Sequence, residues 1–160
     1  MRIGVISDTH RAIVLAQKAI EQMGPVDMVL HLGDNFTDAV KLAKIFPNIK
    51  FEYVMGNCDF GYGDASEKLL EICGRKVFMT HGHRYNVKIG YMELYERAKE
   101  LGAEVALFGH THCPMMERLG NVHIINPGSV SMPRCGVQRT CAIVFIDEKK
   151  IDYGMIVLEN

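Results

Sequence analysis

The segment Ser7-Asp8-Thr9-His10 closes an apolar run, Ile3 to Ile6, with a carboxylate and an imidazole two residues apart. The same event recurs down the chain. Met28 to Leu32 runs into Gly33-Asp34, and Phe51 to Met55 into Gly56-Asn57-Cys58-Asp59. Lys76 to Thr80 runs into His81-Gly82-His83-Arg84, and Val105 to Phe108 into Gly109-His110-Thr111-His112. Each of these is a weak signal alone. Asp8 can equally cap a helix that carries His10 on its first turn, His83 can be a turn residue, and His-x-His occurs at ordinary strand ends. Together they supply Asp8, His10, Asp34, Asn57, His81, His110 and His112 from five segments. Two carboxylates, one amide and four imidazoles are too many donors for one divalent ion. They suit two, provided one carboxylate bridges them. Oxygen and nitrogen donors without sulfur favour manganese, iron, zinc, nickel or cobalt over copper(I). Gly33, Gly56, Gly82 and Gly109 stand beside these donors, where a tight backbone turn is needed. His31, inside an apolar run, reads as a core histidine, and His123, in a hairpin arm, as structural; neither is counted.

The elements that must carry these residues follow from periodicity. Ile13, Ala16, Ile20 and Met23 mark one face of a helix that Gly24-Pro25 stops. Thr37 or Asp38 can cap a second helix, with Ala39, Leu42, Ala43 and Phe46 on its buried face. The first three strands and two helices therefore alternate β-α-β-α-β, which predicts parallel strands covered by helices, with function at the carboxyl ends of the strands. Phe60 to Ser66 reads as a loop. Gly74-Arg75 reads as a two-residue hairpin turn between Leu69–Cys73 and Lys76–Thr80. Residues 90 to 101 read as a helix stopped by Gly102. Beyond Val105–Phe108, two antiparallel hairpins are expected: 115–118 with 122–125, and 142–146 with 151–158. They imply a second sheet or a mixed extension.

The 160 residues suit a single domain spanning 1–160. With 48% apolar residues, 23% charged residues and a net charge of -1, the composition gives no reason to expect generic nucleic-acid or membrane binding. Cys58, Cys73, Cys113, Cys135 and Cys141 are odd in number and irregularly spaced, so no disulfide framework and no thiolate zinc site are expected. A cytoplasmic setting is the natural expectation. Hairpin edges in the second half leave room for a homodimer.

The ordered set Asp8-x-His10, Gly33-Asp34, Gly56-Asn57-x-Asp59, His81-Gly82-His83 and Gly109-His110-Thr111-His112 resembles the calcineurin-like metallophosphoesterase superfamily. The match spans residues 4 to about 129. The Gly-Asn-Cys-Asp motif and Asn126-Pro127-Gly128-Ser129 are similar to the small YfcE-type phosphodiesterases. The resemblance implies an α/β fold, a two-sheet β-sandwich flanked by helices in four αββα layers. It also implies two divalent ions, manganese first, with Asp8, His10 and His112 on one, Asn57, His81 and His110 on the other, and Asp34 between them. The activity implied is hydrolysis of a small phosphodiester by water or hydroxide activated at the two ions. Many members carry His where this chain has Cys58, which puts leaving-group protonation in question. Cys58 has a bland reading as a semi-buried filler, and Asp59 as a residue that orients a neighbour or caps a turn. His83 and Arg84 are candidates for a supporting or phosphate-binding role, and Arg134 is a weaker one. Two other functions are open. One is a protein-interaction scaffold like the retromer subunit of the same fold; the other is a phosphomonoesterase.

Overall fold

The computed structural model describes residues 1–60 and 65–159; most of the expected 60–66 loop lies outside them. The elements, in chain order, are β1 (Arg2–Ile6), α1 (Ile13–Met23), β2 (Met28–His31), α2 (Phe36–Ile45), β3 (Lys50–Tyr53), β4 (Glu67–Ile72) and β5 (Arg75–Thr80). A short 3-10 turn (His83–Tyr85) leads to α3 (Met92–Glu100), β6 (Val105–Leu107), β7 (Met115–Leu119), β8 (Val122–Asn126), β9 (Thr140–Ile146) and β10 (Ile151–Val157).

The strands form two mixed five-stranded sheets, ordered β10-β9-β1-β2-β3 and β4-β5-β6-β8-β7. As the β-α-β alternation required, β1, β2 and β3 are parallel. So are β5, β6 and β8 in the second sheet. The two late hairpins separate: β7 pairs with β8, whereas β9 and β10 extend the first sheet beside β1. Ile3, Val5 and Leu30 of one sheet and Val77, Met79 and Leu107 of the other share one buried core between the sheets. Ala16, Ile20 and Met23 of α1 and Leu42 of α2 cover the outside of the first sheet. Leu94 and Ala98 of α3 cover the outside of the second. The order of layers is therefore helix, sheet, sheet, helix. Among the described residues, no helix is long and apolar enough to cross a membrane.

Three local expectations are corrected. The β4–β5 turn is Cys73-Gly74, not Gly74-Arg75, because Ile72 pairs with Arg75. Both turn residues have positive φ, 51° and 75°, which is what a hairpin of this handedness demands, and Cys73 accepts it. The α2 cap is neither Thr37 nor Asp38. Asn35 holds the cap position, and Asp59 reaches across to accept hydrogen bonds from the Asn35 and Phe36 N–H groups at 2.8 and 3.0 Å. Asp38 turns inward instead, accepting from the Thr9 hydroxyl and the Arg11 N–H at 2.8 Å each. Finally, Cys113 and Cys135 form a disulfide, against the expectation of none. Their separation of 22 residues hides the pair from any spacing rule.

His31 is a core histidine, as its apolar surroundings required. It is fully buried, its Nδ1 accepts from the Gly33 N–H at 3.2 Å, and its Nε2 meets the Thr9 hydroxyl at 3.0 Å. Burial holds its pKa down at about 4. The unfolded chain therefore takes up a proton near pH 6.5 that the folded chain refuses. Stability is full above pH 6.5 and is expected to fall as pH drops toward 4, by on the order of 3 kcal/mol from this group. Urea titrations at several pH values should show that slope. His31→Asn, though less stable throughout, should show a shallower one, and an unchanged slope would remove His31 as its source.

Candidate metal centre

The candidate residues leave their strands through strained turns. Asp8, His10, Asp34, His110 and His112 all have positive φ, between 44° and 67°. Non-glycine residues adopt this left-handed region rarely, at a cost of about 1 kcal/mol or more each. Five such residues at converging strand ends are held there by the rest of the fold. Two glycines make the convergence possible. A Cβ on Gly56 would strike the Asp34 carboxylate, and one on Gly109 would strike Ser7 Oγ and Asp8 Oδ2.

The side chains gather in two groups that share Asp34. In the first, Asp8, His10, Asp34 and His112 each offer a donor atom within 4.8 Å of the others. His112 Nε2 lies 3.1 Å from Asp8 Oδ1, and His10 Nε2 lies 3.3 Å from His112 Nε2 and 3.7 Å from Asp34 Oδ2. In the second, His81 Nε2 lies 3.3 Å from Asp34 Oδ1, 3.2 Å from Asn57 Oδ1 and 3.2 Å from His110 Nδ1. Each oxygen of Asp34 thus faces a different set of nitrogens.

Ring orientation is fixed from behind. His81 Nδ1 stands 2.7 Å from the Leu32 carbonyl, and His112 Nδ1 stands 2.6 Å from the Met132 carbonyl. A carbonyl only accepts, so both Nδ1 atoms carry the proton and both Nε2 atoms can turn lone pairs into the site. Asp8 Oδ2 accepts from Ser7 Oγ at 2.6 Å and from the His110 N–H at 3.1 Å. Its Oδ1 is buried and faces His112 Nε2 at 3.1 Å; while that ring is neutral with its proton on Nδ1, the oxygen has no hydrogen-bond donor. A buried carboxylate oxygen facing imidazole nitrogens is the arrangement a divalent cation satisfies, so the residues present fit such ions.

The charges agree with that role. Burial alone pushes Asp8 upward, but His112, His81 and Ser7 outweigh it and hold the carboxyl below its usual range. Burial, helped by His81 and Lys88, lowers His110 to about 4, so the ring is neutral at pH 7. His112 is raised, chiefly by Asp8.

All seven donors expected from the sequence are brought together. The remaining candidates lie around them. The His83 ring centroid is 5.5 Å from that of His81 and 6.2 Å from that of His110. Arg84 follows on the same 3-10 turn, its charge felt at Glu67. Arg134 touches the site through its backbone, its N–H donating to the His112 carbonyl at 3.1 Å. Asp59 caps the turn that starts at Gly56, as one of its two expected roles required, accepting from the Gly56 N–H at 2.8 Å, and it also caps α2. Cys58 is exposed, not a semi-buried filler, and its backbone N–H donates to Asp34 Oδ1 at 3.0 Å. Ser129 and Ser131 were missed as supports: their hydroxyls both donate to the Asp8 carbonyl, at 2.9 and 2.8 Å. Nothing in their spacing from Asp8 could have shown this.

The sequence profile of the calcineurin-like phosphoesterase superfamily domain matches residues 1–149. The chain is 37% identical to YsnB of Bacillus subtilis, a probable metallophosphoesterase, over 100% of this chain and 86% of YsnB. It is 31% identical to phosphodiesterase MJ0936 of Methanocaldococcus jannaschii, over 99% of this chain and 100% of that protein. Among solved structures, a predicted phosphoesterase from Streptococcus pneumoniae TIGR4 aligns with a TM-score of 0.83 and 29% identity, covering 98% of this chain and 88% of that one. The zinc complex of Vps29 from Entamoeba histolytica aligns with a TM-score of 0.72 at 17% identity, covering 98% of each chain, a likeness of fold alone.

Because His112 is raised above 6.5, its Nε2 proton competes with any cation in the first group. Divalent-cation affinity is expected to weaken as pH falls from about 8 to about 6, with protons released on binding near the lower end. Calorimetry in buffers of different ionisation enthalpy counts those protons. An affinity flat across this range would remove His112 as a ligand.

Proposed function

The chain belongs to the calcineurin-like phosphoesterase superfamily, and we propose that it is a metal-dependent phosphodiesterase that hydrolyses a P–O bond in a small phosphodiester. The observation that carries this is the placement of Asp34, with one carboxylate oxygen toward each group of donors. Asp8, His10 and His112 would hold one divalent ion, Asn57, His81 and His110 the other, and Asp34 would bridge them. The donor set, nitrogen and oxygen without sulfur, suits manganese first, with iron, nickel, cobalt or zinc as alternatives. When bound, two such ions neutralise charge on phosphoryl oxygens and make hydroxide available near neutral pH.

The chain's own groups prepare for this. The Leu32 and Met132 carbonyls keep two rings in the liganding tautomer. The Cys58 N–H fixes Asp34 from outside, so the shared carboxylate need not reorganise during the reaction. Although Cys58 is exposed, partial desolvation of the thiol, then Asp34 and Asp59, push it up to about 11, so it stays protonated at neutral pH. So weak an acid gives up its proton reluctantly, and the leaving oxygen must do largely without a general acid. Diesters with stable leaving groups are therefore the better substrates, and phosphomonoesters of simple alcohols the poorer ones. A cytoplasmic location belongs to the same proposal. The disulfide makes that part demanding, because reducing compartments keep most thiols free.

Two experiments test the proposal. Chelation should abolish hydrolysis of an aryl phosphodiester, and manganese should restore it. Asp34→Asn should lower both the bound metal, measured by elemental analysis, and the rate, the latter by at least about a hundredfold. Near-normal turnover in a fully metallated Asp34→Asn protein would contradict the bridging role. Partner binding that needs no metal, with no turnover of any phosphoester, would favour the scaffold reading. The second experiment varies the leaving group. Cys58→Ala should keep the rate on activated diesters within roughly a few fold. Cys58→His should raise the rate on poor leaving groups more than on good ones. Loss of activity on activated diesters in Cys58→Ala, with metals still bound, would give this residue a direct role.

A further inference from the structure

The two donor groups are supported by different kinds of structure. In the second, the ring of His81 is fixed by the carbonyl of Leu32, a fully buried residue next to β2, which core packing holds in place. In the first, the ring of His112 is fixed by the carbonyl of Met132, which is 52% exposed. Met132 belongs to the connection from β8 to β9. The start and end of that connection are well anchored: Ser129 and Ser131 donate to the Asp8 carbonyl, and Thr140 Oγ1 donates to the Pro127 carbonyl at 2.8 Å. Between them, residues 132–138 contribute no buried side chain. Hydrophobic packing therefore cannot hold this segment against Asp8 and His112.

The Cys113–Cys135 disulfide can. Cys113 directly follows His112, and Cys135 directly follows Arg134, whose N–H donates to the His112 carbonyl. The covalent link joins the segment to the ligand's own neighbour, one residue beyond each end of that hydrogen bond. We infer that the Cys113–Cys135 disulfide is a positioning element for one of the two donor groups. It holds the Met132 carbonyl against His112 Nδ1, so that Nε2 faces Asp8 and His10. The inference rests on the metal-site reading above, and it adds a redox dependence confined to one of two sites.

The bond is within reach of reagents. Cys135 is exposed, and both cysteines line a cleft of about 570 Å³ together with Ile89, Tyr91, Phe108 and Thr111. A small dithiol entering there would break the Cys113–Cys135 S–S bond and form one S–S bond within itself. Two electrons and two protons pass from the reagent to the two protein thiols. The segment is then tied only by hydrogen bonds, among them those from the Met132 N–H to Ser129 Oγ at 2.9 Å and from the Arg134 N–H to the His112 carbonyl at 3.1 Å, and its largely exposed residues beyond Met132 open readily. His81, Asn57 and His110 depend on no part of this segment among the described contacts.

The test compares oxidised protein, dithiol-reduced protein and Cys135→Ser, all as the full chain. Manganese titration should show one of the two ions binding about tenfold or more weakly without the disulfide, and the other unchanged. Reoxidation should restore the wild type and leave Cys135→Ser as it was. A second readout needs no metal: amide hydrogen exchange of Arg134 should accelerate at least tenfold on reduction, while that of Leu32 stays constant. An unchanged Arg134 exchange rate would overturn the inference. So would equal weakening of both ions with a lowered Tm, which would mark the disulfide as a general staple. Absence of manganese binding in every form would defeat the functional proposal, and the exchange rates would still decide the positioning role.

Discussion

One shared carboxylate sets the terms for the whole site. Asp34 must turn its two oxygens to opposite sides, and little room is left for it to do otherwise. Gly56 presses against it where no side chain fits, and the Cys58 N–H holds one oxygen. Asp59 holds the Gly56 N–H and the start of α2 in turn, so the backbone that follows Asp34 and the glycine packed against its carboxylate are fixed by one residue of the next loop. A carboxylate with this much external support can face two sets of nitrogens at once. One held only by its own rotamer preference would swing to whichever side carried more positive charge.

The arrangement is unfavourable by itself. Lone pairs of several imidazoles and carboxylates point at one another, and five of the residues sit in left-handed backbone conformations. Such a cluster persists because two sheets with a shared core fix the strand ends from which it projects. The mutual repulsion is what a cation held by these donors would relieve. Rigid strands keep the donors from relaxing apart in its absence, which is how a protein maintains affinity for a small, highly charged ligand. The supporting bonds then divide by origin. His81 leans on the sheet core, and His112 leans on an exposed connection fastened by a disulfide.

The chain by itself determined the alternation of strands and helices, because hydrophobic period and turn residues act locally. It also determined which seven oxygen- and nitrogen-bearing side chains stand at the strand ends, because each strand-end motif lies within a few consecutive residues. His31 and Asp59 were legible in kind for the same reason: one sits in an apolar run, the other beside a tight turn. What the chain could not determine is everything that depends on segments far apart in sequence meeting in space. Which oxygen of Asp34 faces which ring depends on two sheets packing face to face. The late hairpins could have gone to either sheet, and only the pairing of β9 with β1 decided it. Asp59 capping a helix that begins 23 residues earlier, and Ser129 reaching the Asp8 carbonyl 121 residues away, have no local signature. The disulfide is the clearest case. Cysteine count and spacing argued against it, and only the folding of the β8–β9 connection over the strand ends brought the two sulfurs together. Local chemistry is written along the chain, whereas positioning is a property of contacts whose partners the chain does not name.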